Sequence, residues 1–208
     1  MAELLEPFLP AAPPSAALLA QLQVYLELLL RWNARINLTA VRDAETMVTR
    51  HFGESLFAAH ALFPAGDRRP LTLADVGSGA GFPGLCLKLA QPELRLTLIE
   101  SHSRKAAFLS EAVRTLGLRE VNVFCGRAEA WGREADVVCL RAVEKLLQIL
   151  PVAGSLVGPG GRLCLLIGSA QLESAQQVVG AGFQWSGPLP VPQSRERIVA
   201  IAQHERMS

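Results

Sequence analysis

The chain has 208 residues, is 50% hydrophobic and carries a formal charge of +1, from 20 basic and 19 acidic side chains. That length holds one α/β domain plus an accessory segment, and so even a balance excludes a global attraction to polyanions, leaving any nucleic-acid binding to a local patch. No apolar run approaches the ~18 residues of a membrane span, and no basic segment precedes an apolar one at the start, so a cytoplasmic protein without membrane contact is expected.

The four cysteines, at 86, 125, 139 and 164, form no C-x-x-C pair and have no histidine spacing suited to zinc. No metal site is expected. Cys125, Cys139 and Cys164 fall in predicted strands and read as buried free thiols.

In chain order, Pro7, Pro10, Pro13 and Pro14 mark an irregular lead-in. Ser15 is placed to cap a helix over 16–32, with Leu18, Leu22, Tyr25, Leu26 and Leu29 at helical spacing and Leu28 and Leu30 widening the stripe. So broad an apolar face should pack on another element. Polar groups interleaved with anchors follow in Arg31-Trp-Asn-Ala-Arg-Ile-Asn-Leu-Thr39, and Asp43 can cap a second helix to about 61. The Pro- and Gly-containing stretch 64–70 reads as a linker, separating an N-terminal helical segment (1–65) from a main domain (70–208).

From Leu71 strands and helices alternate. Strands are expected at 71–75, 96–100, 121–125, 136–140 and 162–167, and helices from Pro83 to about 90, then over 103–116, 144–150 and 172–179. A sharp turn is expected at 158–161. The final β segments, about 183–189 and 197–202, suit a closing hairpin. This pattern predicts an α/β fold, a doubly wound and mainly parallel sheet ending in an antiparallel hairpin.

The first strand ends in Asp75, and Gly77, Gly79, Gly81 and Gly84 follow at once. Glycines allow positive φ and close approach of backbone to a ligand. Taken with Glu100, the spacing of Gly79, Gly81 and Gly84 matches the dinucleotide fingerprint, so a nicotinamide-dependent oxidoreductase stays open. The extra Gly77, and Asp75 just before it, point instead to S-adenosylmethionine, whose amino-acid tail and nucleoside need no pyrophosphate cradle. In open α/β sheets ligands bind at the carboxyl ends of the strands. Glu100 ends the second strand, where its carboxylate can accept from both ribose hydroxyls. Ala128 and Glu129, after the third, can flank an adenine, and Arg141 ends the fourth.

On the N-terminal side Arg31, Arg35, Arg42 and Arg50 can line a path for RNA or be solvated surface. His51 can meet the substrate or pack between helices. Asn37 can recognise RNA or tie its own turn, and the turn is favoured.

Several motifs then occur in order: Trp32-Asn-Ala-Arg-Ile-Asn-Leu-Thr39, Arg50-His-Phe52, Asp75-Val-Gly-Ser-Gly-Ala-Gly-Phe-Pro-Gly84, Lys105-Ala-Ala-Phe-Leu109, Gly126-Arg-Ala-Glu129, Arg141-Ala142 and Pro159-Gly-Gly161. Together, over nearly the whole chain, they resemble the bacterial 16S ribosomal RNA guanine-N7 methyltransferase family, RsmG, also called the glucose-inhibited division protein B family. The resemblance implies a class I methyltransferase fold, S-adenosylmethionine as cofactor, and a guanine of small-subunit rRNA as acceptor; 16S RNA or a small-subunit particle is the expected partner, and a monomer is expected. It implies cofactor contacts at Gly77, Phe82, Glu100, Ala128, Glu129 and Arg141. Asp75, Gly79 and Gly81 join these from the turn, and Asn37, Arg50, His51 and Arg141 are the candidate substrate contacts.

Departures from the family pattern are Glu54 for an expected Asp, Leu140 for a Ser, and Ile167-Gly168 for a Lys-Gly. Guanine N7 already has a lone pair and no proton to lose, so no catalytic acid or base is expected. The alternatives are a class I methyltransferase for another RNA or a small molecule, the oxidoreductase, and a non-catalytic rRNA-binding assembly factor.

Overall fold

Alternation of apolar residues along the strands builds two cores on opposite faces of one sheet. The computed structural model describes residues 1–9, 12–63 and 71–205. Its elements are α1 (Ala2–Leu5), α2 (Ala16–Ile36), α3 (Ala44–Thr46), α4 (Glu54–Leu62), β1 (Thr72–Val76), α5 (Gly84–Ala90), β2 (Arg95–Glu100), α6 (Ser103–Thr115), β3 (Val121–Cys125) and α7 (Ala128–Trp131). There follow β4 (Ala135–Arg141), α8 (Leu146–Ser155), β5 (Val157–Gly168), α9 (Leu172–Val179), β6 (Phe183–Trp185), β7 (Leu189–Pro190) and β8 (Arg197–His204).

The sheet has 8 strands, ordered β3-β2-β1-β4-β5-β8-β6, with β7 also on β8. The β1–β5 pairings are parallel and those to β8 antiparallel. The order reverses between β1 and β4, so the crevice at their carboxyl ends is where a ligand belongs in such a sheet. Leu73, Leu98 and Val137 face one core, while Ala74, Val76, Ile99, Val138 and Leu140 face the other.

The first core also contains Leu22, Tyr25 and Leu29 of α2 with Met47, Phe52 and Leu56. The N-terminal helices therefore share one continuous core with the sheet. The linker predicted at 64–70 lies outside the described residues. Among the described residues no helix is long and apolar enough to cross a membrane.

Local chemistry explains most boundaries. The Ser15 hydroxyl accepts from Leu18 N at 3.1 Å, and Asn37, in the left-handed region at φ 51°, ends α2. The Asp43 carboxylate accepts from Thr46 N at 2.7 Å.

Several expectations were corrected. Residues expected as an irregular lead-in include a 3₁₀ turn (Glu6–Phe8) whose Phe8 is buried, and α1 precedes it with a buried Leu5. The second helix is not regular, because Met47–Gly53 winds as a π-helix between α3 and α4. The turn expected at 158–161 is part of β5, where the register on β4 shifts between Ala135 and Val137. Helix α8 runs on through Pro151. Cys125 is exposed on the edge strand β3 instead of buried.

Candidate active site

The turn after β1 is built by hydrogen bonds to its neighbours. Gly77 N and Ser78 N donate to the Ile99 carbonyl at 2.9 and 3.1 Å, which ties the turn to β2. The Glu100 carboxylate then accepts from Gly79 N at 2.9 Å and from His102 N at 2.8 Å. Gly79 has a φ of +56°, in the left-handed region that favours glycine, while an added Cβ would make only ordinary contact, 3.7 Å from the Gly77 carbonyl oxygen. At Gly81 the demand is steric as well. Its φ is +87°, and an added Cβ would lie 2.5 Å from both Leu85 Cδ1 and the Tyr25 hydroxyl. Gly77 is exposed at the crevice, bordered by Val143.

Asp75 does not face this crevice. Fully buried under the turn, it accepts from Gly84 N at 3.1 Å and lies 3.7 Å from the Cys139 thiol. Burial raises its pKa to about 7, with the Gly84 and Cys139 hydrogen bonds opposing the shift. The expected cofactor ligand is thus a support for the turn. Phe82 is also turned inward. Its ring stacks on Tyr25 at 5.3 Å and meets His51 at 5.0 Å and Phe52 at 5.3 Å, so the side chain packs in the core.

Arg141, at the end of β4, is 9% exposed. Its Nη2 donates to the Arg50 carbonyl at 2.7 Å, His51 Nδ1 at 3.1 Å and Glu54 Oε2 at 3.0 Å, while its buried Nε has no partner. Because Arg141 can only donate, His51 Nδ1 accepts, and Nε2–H faces the Thr39 hydroxyl at 2.8 Å. Burial and then the Arg141 charge lower the His51 pKa to about 3. His51 is a neutral packing histidine. Ala142, just after Arg141, has φ 52°, backbone strain at the rim of the crevice.

Glu54 is ion-paired twice, with Arg141 at 3.0 Å and with Arg197 at 2.9 Å. Gly168 pairs in register with Arg197, so a guanidinium stands at the end of β5, where the family pattern has Lys-Gly and this chain has Ile167-Gly168. Ile167 itself is buried in the second core.

The remaining expected residues are more dispersed. Ala128 is buried at the start of α7, in the same core as Ile99 and Val76. Glu129 is exposed and lines a cavity of about 380 Å³ with Gly132 and Arg133, whose lining includes neither Glu100 nor the glycines of the turn. Arg50 is exposed. Asn37 is also exposed, and its Oδ1 accepts from Arg42 Nη2 at 2.6 Å, so it ties its own turn. The neighbouring Asn33 is the buried organiser of that turn, bonding Thr39 N and the Val41 carbonyl. Sequence reasoning missed Tyr25, Asn33, Thr39 and Arg197 as residues that shape the site. The available signals were Tyr25, the single tyrosine of the chain, and the Trp32–Thr39 motif that contains Asn33 and Thr39.

Comparison with known proteins agrees with this geometry. A ribosomal protein L11 methylase from Lactobacillus delbrueckii subsp. bulgaricus superposes with a TM-score of 0.60 over 74% of this chain and 80% of its own, at 19% identity. P. horikoshii TYW2, solved in complex with MeSAdo, superposes with a TM-score of 0.61 over 76% of this chain and 63% of its own, at 13% identity. These likenesses show the class I methyltransferase fold. Two relatives bear the name ribosomal RNA small subunit methyltransferase G. That of Xanthomonas euvesicatoria pv. vesicatoria is 45% identical over 79% of this chain and 76% of its own. That of Halorhodospira halophila is 45% identical over 74% of this chain and 71% of its own. The profile described as GidB, rRNA small subunit methyltransferase G, matches residues 18–181. The chain belongs to the GidB family of small-subunit rRNA methyltransferases.

Proposed function

We propose that the protein transfers a methyl group from S-adenosylmethionine to N7 of a guanine in 16S ribosomal RNA, as a cytoplasmic monomer acting on the RNA or on a small-subunit particle. The cofactor supplies, when bound, a methyl group on a positively charged sulfur. The crevice suits such a molecule: Gly77 presents bare backbone, and Glu100 offers carboxylate lone pairs beside it for a ribose. Ala128 and Glu129 are assigned to the adenine side by their place after β3.

The observation that carries the N7 reading is the state of the residues around the turn. His51 has its accepting nitrogen filled by Arg141 and stays neutral at neutral pH, its one ring N–H facing the Thr39 hydroxyl. Glu54 is held by two arginines, Asp75 is sealed under the turn, and Glu100 accepts two backbone amides. None of these side chains is poised to remove a proton. Guanine N7 asks for no such removal, because its lone pair is already available at the base edge. The work left to the protein is orientation and charge placement, for which Arg141, with its spare Nε–H, and Arg50 are positioned.

Calorimetric titration tests the cofactor assignment. S-adenosylhomocysteine should bind the wild-type protein, and a folded Gly79→Val variant should not bind it, since a β-branched residue at φ +56° distorts the turn. Binding of NADH in its place would overturn the assignment.

A further inference from the structure

A cavity of about 500 Å³ opens at the carboxyl end of β5. Thr49, Arg50 and Glu54 form one wall, Gln171 a second, and the turn leading into β8, with Arg195 and Arg197, a third. It includes none of Gly77, Phe82 or Glu100, so it is distinct from the cofactor turn. It is nonetheless joined to the reacting end of the sheet, because the Arg50 carbonyl and the Glu54 carboxylate that border it are both partners of Arg141.

The walls are preformed. Ser194 Oγ accepts from Arg197 N at 3.1 Å, and Ser169 N donates to the Glu196 carbonyl at 2.6 Å, fixing the turn against β5. Gln171 Oε1 accepts from Gly168 N at 2.9 Å, which leaves its amide hydrogens directed to other acceptors. Glu54 is matched by Arg141 and Arg197, and Glu196 is the other carboxylate of the lining, so Arg50 and Arg195 leave an excess of positive charge. Arg50 and Arg195 are both exposed and come from elements far apart in the chain. Arginines converging from two elements on a polar cavity of nucleotide size suit a phosphodiester with its sugar and base better than a lone anion.

Resting on the reading of the chain as an rRNA guanine methyltransferase, we propose that this cavity holds the nucleotide next to the acceptor guanine. Arg50 and Arg195 grip its phosphodiester, and Gln171 donates to its base or sugar. Holding the neighbour there strips it from its stack and presents the acceptor base to the crevice beside Arg141.

The test is titration of a short guanine-containing single-stranded RNA into wild type, Arg195→Glu and Arg195→Lys at several salt concentrations. Arg195→Glu should weaken RNA binding at least about tenfold and lower the log–log salt slope by about 0.7, the share of one phosphate contact on a single strand. Arg195→Lys should retain the slope, and affinity for S-adenosylhomocysteine should be the same in all three. In turnover, Arg195→Glu should raise KM for RNA and leave kcat at saturating RNA in place. Unchanged RNA affinity and slope in folded Arg195→Glu overturns the subsite, as does a kcat loss with KM unmoved. The underlying reading fails separately, if the wild type neither binds S-adenosylhomocysteine nor methylates ribosomal RNA.

Discussion

The Tyr25 hydroxyl on α2 donates a hydrogen bond to the Ala80 carbonyl inside the glycine turn. An N-terminal helix thereby sets the shape of a turn 55 residues further along the chain. Tyr25→Phe keeps the ring stacked on Phe82 but strands a buried carbonyl, at a cost of about 1–3 kcal/mol. Urea denaturation should show that loss, and calorimetry should show weaker S-adenosylhomocysteine binding. Full stability with full affinity would mean that α2 does not brace the turn.

Gly79 and Gly81 separate two reasons for glycine. Gly81→Ala drives a Cβ into Leu85 and the Tyr25 hydroxyl, so it should cost several times more stability than Gly79→Ala, which pays only for its positive φ, about 1 kcal/mol. Thermal melts of the two variants check the order. Equal losses would contradict the steric account.

Glu54 holds two guanidiniums. Glu54→Ala leaves a buried Arg141 unpaired and should cost about 3–5 kcal/mol. Glu54→Asp, one methylene shorter, should reach one arginine and not both, giving an intermediate loss in chemical denaturation. A neutral Glu54→Ala would refute the role of this carboxylate as a clamp between β4 and β8.

His51 and Asp75 act with opposite sign on pH stability. With its folded pKa lowered to about 3 from 6.5, His51 takes a proton only on unfolding within that window, so its effect makes stability rise with pH there. Asp75, raised to about 7 from 3.8, keeps a proton in the folded state that the unfolded chain has lost, so its effect makes stability fall as pH rises through that range. Each slope approaches about 1.4 kcal/mol per pH unit, and the two offset between about pH 4 and 6.5. His51→Gln should unmask the Asp75 slope and lose stability, relative to wild type, as pH rises from about 4 to 6.5. Parallel denaturation curves for the two proteins across that range would contradict it.

The parallel sheet was legible because β1 through β5 carry apolar runs separated by segments of helix length. The glycine turn and Glu100 were legible because both close a strand. The orientation of Asp75 was not, since strand alternation says which face a residue occupies only once the neighbouring layer is known, and that of Phe82, in the turn after β1, depends on Tyr25, His51 and Phe52 of the N-terminal segment packing on its ring. The π-helix leaves no sequence signature, yet it brings the Arg50 carbonyl, His51 and Glu54 together on Arg141. Arg197 was equally hidden. Its place beside Glu54, 143 positions away in the chain, depends on the antiparallel register of β8 on β5.

The central claim is methyl transfer to guanine N7 without a general base. Its most direct measurement is single-turnover transfer of labelled methyl from S-adenosylmethionine to unmodified small-subunit RNA across pH, followed by reduction and amine cleavage of the product. The account predicts a rate nearly independent of pH wherever protein and RNA stay folded, and strand scission at one guanine, because N7 methylation makes the base cationic and labile. A rate rising about tenfold per pH unit, with labelled RNA that resists cleavage, would show that a proton must leave the acceptor and would contradict the assignment.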